Sequence, residues 1–411
     1  MKLFRTGAIF WMATSVTLTC FSQTPVKVLD TCLTDHVRVY YIDGVQATSV
    51  TAIDTDEGLV VIDTDISPVF SRAIRKEILY DFGEKPFRYL INTHDHGDHT
   101  YGNQAFSDAI VIGLDKCREQ MIADQGEAGS FAQQISAALT RMKARLDTLD
   151  QTSNAAVSLA KLIAFYQGVA DGLGDSFVLT PPEITFSDSI NLYLGNKTIK
   201  LMYIGGKAHS NSDILVFCPE ENLLVTGDLI YENSLYFDSE RIPCIDRWEK
   251  VLASLRSGKD TVKFMVTGHQ GLLHPSLLDS ALQTIHEKQK EFSGKQSALL
   301  AFKKVYENEG LNPGVKAMRR LKADSKKFYF LHPEFDTYVY GLMNDNKLED
   351  ARILFTELAI LFPEAANAFD SLGEVYLKLD NKEKARENFK KSLELDPENS
   401  NAKQKLAGLE K

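Results

Sequence analysis

Residues 91–103 read Ile-Asn-Thr-His-Asp-His-Gly-Asp-His-Thr-Tyr-Gly-Asn. Within six residues, His94, His96, Asp98 and His99 offer three imidazoles and a carboxylate. Imidazole nitrogen and carboxylate oxygen suit zinc and its first-row neighbours. A single catalytic zinc takes only three protein ligands, so four candidates on one tight loop point to two metals. A solvated polar loop could also carry histidines, and one His-x-His would leave that reading ahead. His-x-His-x-Asp-His does not.

Those residues need a rigid support. Residues 87–91 are mostly apolar and follow Pro86, which reads as a buried strand. The cluster therefore leaves the carboxyl end of a strand, a usual place for a site in an α/β layer fold. The pattern repeats downstream. His209 lies on a loop between strand-like stretches 198–203 and 214–217. Asp228 closes the apolar run 223–227, and His269 closes 264–268. Five of the nine histidines thus lie on three loops that follow strand-like sequence. That repetition carries the metal reading, because His209 or His269 alone would more often be structural. His36, His274, His286 and His332 are assigned that plain role. Asp95 is read as a support for a ligand or a surface residue. Tyr101, Asn233, Tyr236 and Phe237 are pocket candidates by position only.

Between these loops, residues 26–63 read as a β-meander with turns near Asp43-Gly44 and residues 54–58. Residues 68–81 place Phe70, Ile74, Ile78 and Leu79 on one helical face. Residues 109–113, 184–186 and 190–193 are further strands, and 247–255 an amphipathic helix. Residues 116–174 differ in texture, with Ile135, Leu139, Met142, Leu146 and Leu149 forming one helical stripe. They are expected to form an inserted helical hairpin, read as a packing or dimer element ahead of a lid.

This pattern resembles the metallo-β-lactamase superfamily over residues 30–275. The likeness rests on His94-x-His96-x-Asp98-His99, then His209 before a strand, then Gly227-Asp228, then Gly268-His269. The resemblance implies a four-layer αβ/βα sandwich. It also implies that His94, His96 and His209 hold a first metal, that Asp98, His99 and His269 hold a second, and that Asp228 bridges them. That ligand set is similar to glyoxalase II, whereas residues 206–224 resemble the lactamases more. Two divalent ions about 3.5–4 Å apart can share a hydroxide and lower its pKa to near neutrality. Asp98 and Asp228 are the carboxylates expected at the reacting centre, as ligands and not as free bases.

Composition bounds the rest. The chain has 411 residues, enough for two or three domains, with 44% apolar and 25% charged residues typical of a globular protein. Lys2 and Arg5 precede an apolar run over 7–21, and residues 22–25 look like a cleavage region, so 1–22 read as a secretory signal. Leu18-Thr19-Cys20 matches a lipoprotein signal poorly. Without that segment the balance is 44 basic against 56 acidic residues, or −12, which disfavours nucleic acid and anionic membranes as partners. Cys32, Cys117, Cys218 and Cys244 remain, and their spacing chooses no disulfide pairing.

After residue 275 the texture is helical, with helices expected over 277–302 and 313–321. Phe335, Ala351, Phe355 and Pro363 recur 34 residues later as Phe369, Ala385, Phe389 and Pro397, the spacing of tetratricopeptide repeats. The expected organisation is a signal over 1–22, a catalytic domain over 23–275, a helical neck over 276–331 and repeats over 332–411. The expected protein is an exported dinuclear zinc hydrolase, with iron or manganese as alternatives to zinc. Its metal-bound hydroxide would attack an ester, thioester, lactone or β-lactam carbonyl of a small molecule. The alternative is an interaction protein whose repeats define the role and whose metal domain is a weak hydrolase. A di-iron oxidoreductase is weakened by the lack of a flavin- or rubredoxin-like segment. Intact ligands favour the hydrolase.

Overall fold

The computed structural model describes residues 27–43, 48–230, 235, 237–256 and 262–409. The signal-like segment with Cys20 lies outside them, as do Gly44, Ala47, Asn233 and Tyr236.

The first sheet opens with the antiparallel strands β1 (Val28–Thr34), β2 (Val37–Ile42), β3 (Val50–Thr55) and β4 (Gly58–Ile62). Helix α1 (Pro68–Phe82) follows, its first turn capped by Ser67, which accepts from the Val69 amide. Strand β5 (Phe87–Ile91) lies parallel to β4. The single turn α2 (Gly97–Thr100) leads to β6 (Ile110–Leu114), parallel to β5. Three helices come next: α3 (Asp115–Ala123), α4 (Glu127–Leu146) and α5 (Asn154–Gly172). Strand β7 (Ile184–Phe186) completes a seven-stranded sheet in chain order.

The second sheet runs β8 (Ser189–Leu194), β9 (Lys197–Tyr203), β10 (Ile214–Cys218) and β11 (Leu223–Val225). Helix α6 (Ile245–Ser254) crosses to β12 (Phe264–Thr267), which lies parallel to β11, and β13 (Gly271–Leu273) forms the edge.

Alternation along two strands reveals the layers. In β4, Val60 and Ile62 face the core between the sheets, while Leu59 and Val61 face α1. In β10, Ile214 and Val216 share that inter-sheet core, while Leu215 and Phe217 meet Trp248 and Leu252 of α6. Both faces of each strand are buried, which explains the unbroken apolar runs in sequence. The architecture is the expected α/β four-layer sandwich, helix–sheet–sheet–helix, followed by a helical tail in which residues 296–297 and 328–329 form one short parallel pairing.

The inserted segment holds three helices and not a hairpin alone. Strand β1 has seven residues of mixed polarity and β13 only three, so neither edge strand gives a distinct apolar pattern in sequence. The stretch 277–302 is two helices, because the chain turns at Gly294 with φ 71°. The first, α7 (Ser276–Phe292), shares its core with α6, through Leu278 and Ile285 against Trp248 and Leu252. The second, α8 (Ala298–Glu309), pairs with α9 (Leu311–Ala323). The repeat region follows as α10 (His332–Asn344), α11 (Leu348–Leu361), α12 (Ala366–Lys378), α13 (Lys382–Leu395) and α14 (Ser400–Leu409). One core joins Phe302 and Met318 of α8 and α9 to Phe335, Phe355 and Leu372 of α10, α11 and α12. Glu334 of α10 also accepts the Ser239 amide ahead of α6, tying tail to sandwich.

Candidate metal centre

Four strand ends meet at one edge of the sandwich. Strand β5 delivers the 92–100 loop, whose base is locked by a reciprocal amide pair. Asn103 donates to Asn92 at 2.8 Å, and Asn92 donates back at 3.1 Å, both buried. Thr64 Oγ1 donates to the His99 carbonyl at 3.0 Å, and Thr48 Oγ1 to the Asp98 carbonyl at 2.8 Å. The loop between β9 and β10 brings His209, held by the buried Asp213, which accepts the Ser210 amide at 2.6 Å. Strand β11 ends in Thr226-Gly227-Asp228, and β12 in Gly268-His269. A side chain at Gly268 would place its Cβ 1.8 Å from Asp228 Oδ1, so the two strand ends approach closely only with glycine there.

All seven sequence candidates converge. Donor atoms of His94, His96 and His209 lie within 4.8 Å of one another, as do those of His94, His99 and Asp228, and those of Asp98, His99 and His269. Asp228 stands between the groups. Its Oδ2 is 3.4 Å from His209 Nε2 and 3.2 Å from His269 Nε2, while its Oδ1 is 3.4 Å from His99 Nε2. Asp98 Oδ2 lies 3.2 Å from His269 Nε2.

The donor set fits a first-row divalent cation. Nε2 of His94 is buried with no hydrogen-bond partner, and the equally buried Nε2 of His99 and Oδ1 of Asp228 face each other at 3.4 Å without a well-formed hydrogen bond. Leaving a buried polar atom unsatisfied costs about 1–3 kcal/mol. Such atoms persist where a ligand uses them, and all three point into the cluster.

The electrostatics divide the cluster in two. Burial, with His99 close by, pushes the His94 imidazolium well below its usual range, and burial brings His209 down to about 4. Both therefore present neutral nitrogen at pH 7. On the other side burial opposes charge, yet Asp63 and Asp228 hold His99 well above its ordinary value. His269 rises to about 9 against burial, through hydrogen bonds to Asp228 and Asp98. Burial disfavours the charged carboxylates too, but the same imidazoliums keep Asp98 and Asp228 below the usual carboxylate range. Without metal, the carboxylates of Asp63, Asp98 and Asp228 favour protons on His99 and His269, a role that a divalent cation can take over.

The structure adds residues that sequence reading missed. Asp63, just past β4, accepts from Thr93 N and Oγ1, both at 2.7 Å, and lies 3.0 Å from His99 Nδ1. Asp63-Thr64-Asp65 after an apolar run was a signal of the same kind as Asp228 after β11. Thr93 Oγ1 lies 3.1 Å from His94 Nδ1, leaving Nε2 for the cluster. Asp95 accepts from Ser212 Oγ at 2.5 Å, joining two ligand loops.

Other candidates have plainer roles. His274 Nδ1 lies 2.8 Å from Ser276 Oγ at the start of α7. His36 pairs with Asp54, His286 with Glu249, and His332 packs on Phe362. Tyr101 lines a cavity beside Asp98. Phe237 does not; it packs among Trp248 and Phe292 behind the second sheet, because its apolar ring is drawn into that core. Cys32, Cys117, Cys218 and Cys244 are all free thiols.

Comparison with known proteins bears on the family of the chain. Residues 43–282 match the family model of the metallo-beta-lactamase superfamily, and residues 366–399 match the tetratricopeptide repeat. The chain is 32% identical over 148 residues to 2,4-dinitroanisole O-demethylase subunit alpha from Nocardioides sp. (strain JS1661), covering 36% of this chain and 41% of that protein. It is 24% identical over 110 residues to metallo-beta-lactamase type 2 from Bacteroides fragilis, covering 26% and 44%. The chain thus spans less than half the length of these curated relatives. Among solved structures, a metallo-beta-lactamase from Pontibacter korlensis is 15% identical with a TM-score of 0.42, covering 63% of this chain and 99% of that one. With its family model spanning more than half of the residues, the chain belongs to the metallo-beta-lactamase superfamily.

Proposed function

We propose that this chain is an exported hydrolase that uses two divalent ions, zinc or else iron or manganese, to cleave an ester, thioester, lactone or β-lactam carbonyl. One observation carries this reading: seven imidazole and carboxylate side chains from four strand-end loops converge around buried donor atoms that lack well-formed hydrogen bonds. His94, His96 and His209 would hold one ion, Asp98, His99 and His269 the other, and Asp228 would bridge. Two such ions would polarise the carbonyl and make a water acidic enough to react near neutral pH.

The chain's own residues do the rest. Asp63 and Thr93 aim His99 and His94 by holding their Nδ1 atoms. The buried Asn92–Asn103 pair fixes the loop that presents four donors. Asp98 and Asp228 stay ionised. Overall, water adds to the carbonyl carbon and the bond to the leaving oxygen, sulfur or nitrogen breaks. One water proton ends on the leaving atom and the other on the released acid.

The 32% match to an O-demethylase subunit supports a second reading, hydrolysis of an aryl ether. Export rests on Lys2, Arg5 and the apolar run over 7–21. The repeats support a protein partner in addition to a small-molecule substrate, and the acidic balance still disfavours nucleic acid. No helix among the described residues is long and apolar enough to cross a membrane.

A substrate panel on purified protein tests the reading: an uncharged aryl ester, an aryl ether, nitrocefin, S-lactoylglutathione, a lactone and a phosphodiester, each with and without a chelator. Turnover of a carbonyl compound that chelation abolishes is expected. Turnover of none of them, or turnover indifferent to chelation, would contradict it.

A further inference from the structure

Two cavities adjoin the metal centre, one of about 690 Å³ and one of about 240 Å³. They share Gly97, Asp98, Tyr101 and Glu127, so Tyr101 stands at their junction. The larger has an aromatic wall, where Ile66 and Tyr101 face Phe131 and Ile135 of α4 and Phe165 and Tyr166 of α5, with Asp98, Glu127, Ser130 and Gln134 as its polar lining. The smaller is acidic, with Asp95, Asp98, Asp124 and Glu127 in its lining. Among the described residues, neither lining contains a lysine or arginine.

The aromatic wall is built in. Ser67 Oγ donates to the Gly168 carbonyl at 2.8 Å, and the Phe70 and Phe165 rings stack at 5.2 Å, so α5 is fastened to α1. Val169 and Leu173 continue into the core beneath α1. The inserted helices, expected from sequence as a packing or dimer element, thus form one side of a cavity that ends at Asp98.

On the hydrolase reading above, we propose that this pair of cavities selects an aromatic substrate that is neutral or cationic and carries no carboxylate. The ring lies against Phe131, Phe165 and Tyr166, where offset and edge contacts between rings add to burial. A cationic or hydrogen-bond-donating group lies near Glu127 and Asp124. Away from the metals, an anionic group would meet Asp95, Asp124 and Glu127 with no lysine or arginine among the described lining residues, a like-charge arrangement that rejects wrong partners.

Calorimetric titration of the full-length protein, as purified and after chelation, tests this without turnover. The probes are benzyltrimethylammonium and phenylacetate. Saturable binding of the cation is expected, with phenylacetate weaker after chelation. Phe131→Ala should weaken the cation about tenfold. Glu127→Gln, a change at an exposed position that folding tolerates, should weaken it about two- to fivefold. No saturable binding of the cation, equal affinity in wild type and both variants, or preference for phenylacetate after chelation would overturn the proposal. Failure of the substrate panel with this binding pattern intact would sink the hydrolase reading alone. Turnover without the pattern would sink the pocket alone.

Discussion

His99 Nδ1 lies 3.0 Å from Asp63 Oδ2, with neither side chain more than 1% exposed. Asp63 sits in left-handed backbone, φ 59°, a conformation that costs about 1 kcal/mol or more for a side-chain residue. Its other contacts are the amide and hydroxyl of Thr93. The contact orients the His99 ring and turns Nε2 toward Asp228. Asp63→Asn should therefore lower metal affinity by roughly 10–100-fold, the usual cost of losing a carboxylate behind a ligating histidine. Competition against a chromophoric chelator measures it, and unchanged affinity would show that Asp63 serves folding only.

The Asp228 carboxylate contacts histidines of both groups, His209 on one side and His99 and His269 on the other. Asp228→Ala should reduce bound metal at both positions, whereas His209→Ala should reduce it at one. Elemental analysis of the purified variants distinguishes these. Equal metal content in wild type and Asp228→Ala would remove the bridging role.

What was legible in the sequence followed physical rules. The ligand loops were legible because several coordinating side chains fell at consecutive strand ends, where period and composition both change. The sandwich was legible because buried strands such as 58–62 and 214–217 are apolar on both faces. Asp63 was not, since a carboxylate after a strand reads equally as a turn. The role of α4 and α5 was not, since an amphipathic stripe such as Ile135 and Leu139 says that a helix packs but not beside what. Phe237 was misplaced for the same reason: a large ring near a site in sequence went to the nearest core.

Lys197 and Glu221 form a buried pair at 2.5 Å, and Thr34 donates to the same carboxylate at 2.6 Å, linking the two sheets. Burial opposes the charge of Glu221, yet Lys197 and Thr34 hold its carboxyl below the usual glutamate range. A depressed folded value stabilises the protein above the unfolded value of about 4.3. That contribution fades as pH falls through the lower folded value. Lys197→Met leaves a buried charge and should cost about 3–5 kcal/mol at pH 7. The gap from wild type should narrow in acid. Denaturant melts at pH 7 and pH 3.5 measure both, and a gap that widens in acid would contradict the assignment.

The core that joins Phe302 and Met318 to Phe335 and Phe355 makes the repeats dependent on α8 and α9. Residues 332–411 alone should be largely unfolded, because two repeats bury too little without a docking partner. Residues 276–411 should melt cooperatively. Circular dichroism on both fragments checks this, and a cooperative helical melt of 332–411 alone would make the tail an independent module.

The most direct test of a two-metal hydrolase is to add zinc stepwise to the chelated full-length protein while following hydrolysis of an uncharged aryl ester. Activity is expected to rise through the second equivalent per chain and then level off, since seven donors exceed the three that one catalytic ion needs. Activity that is full at one equivalent, or present before any zinc is added, would contradict it.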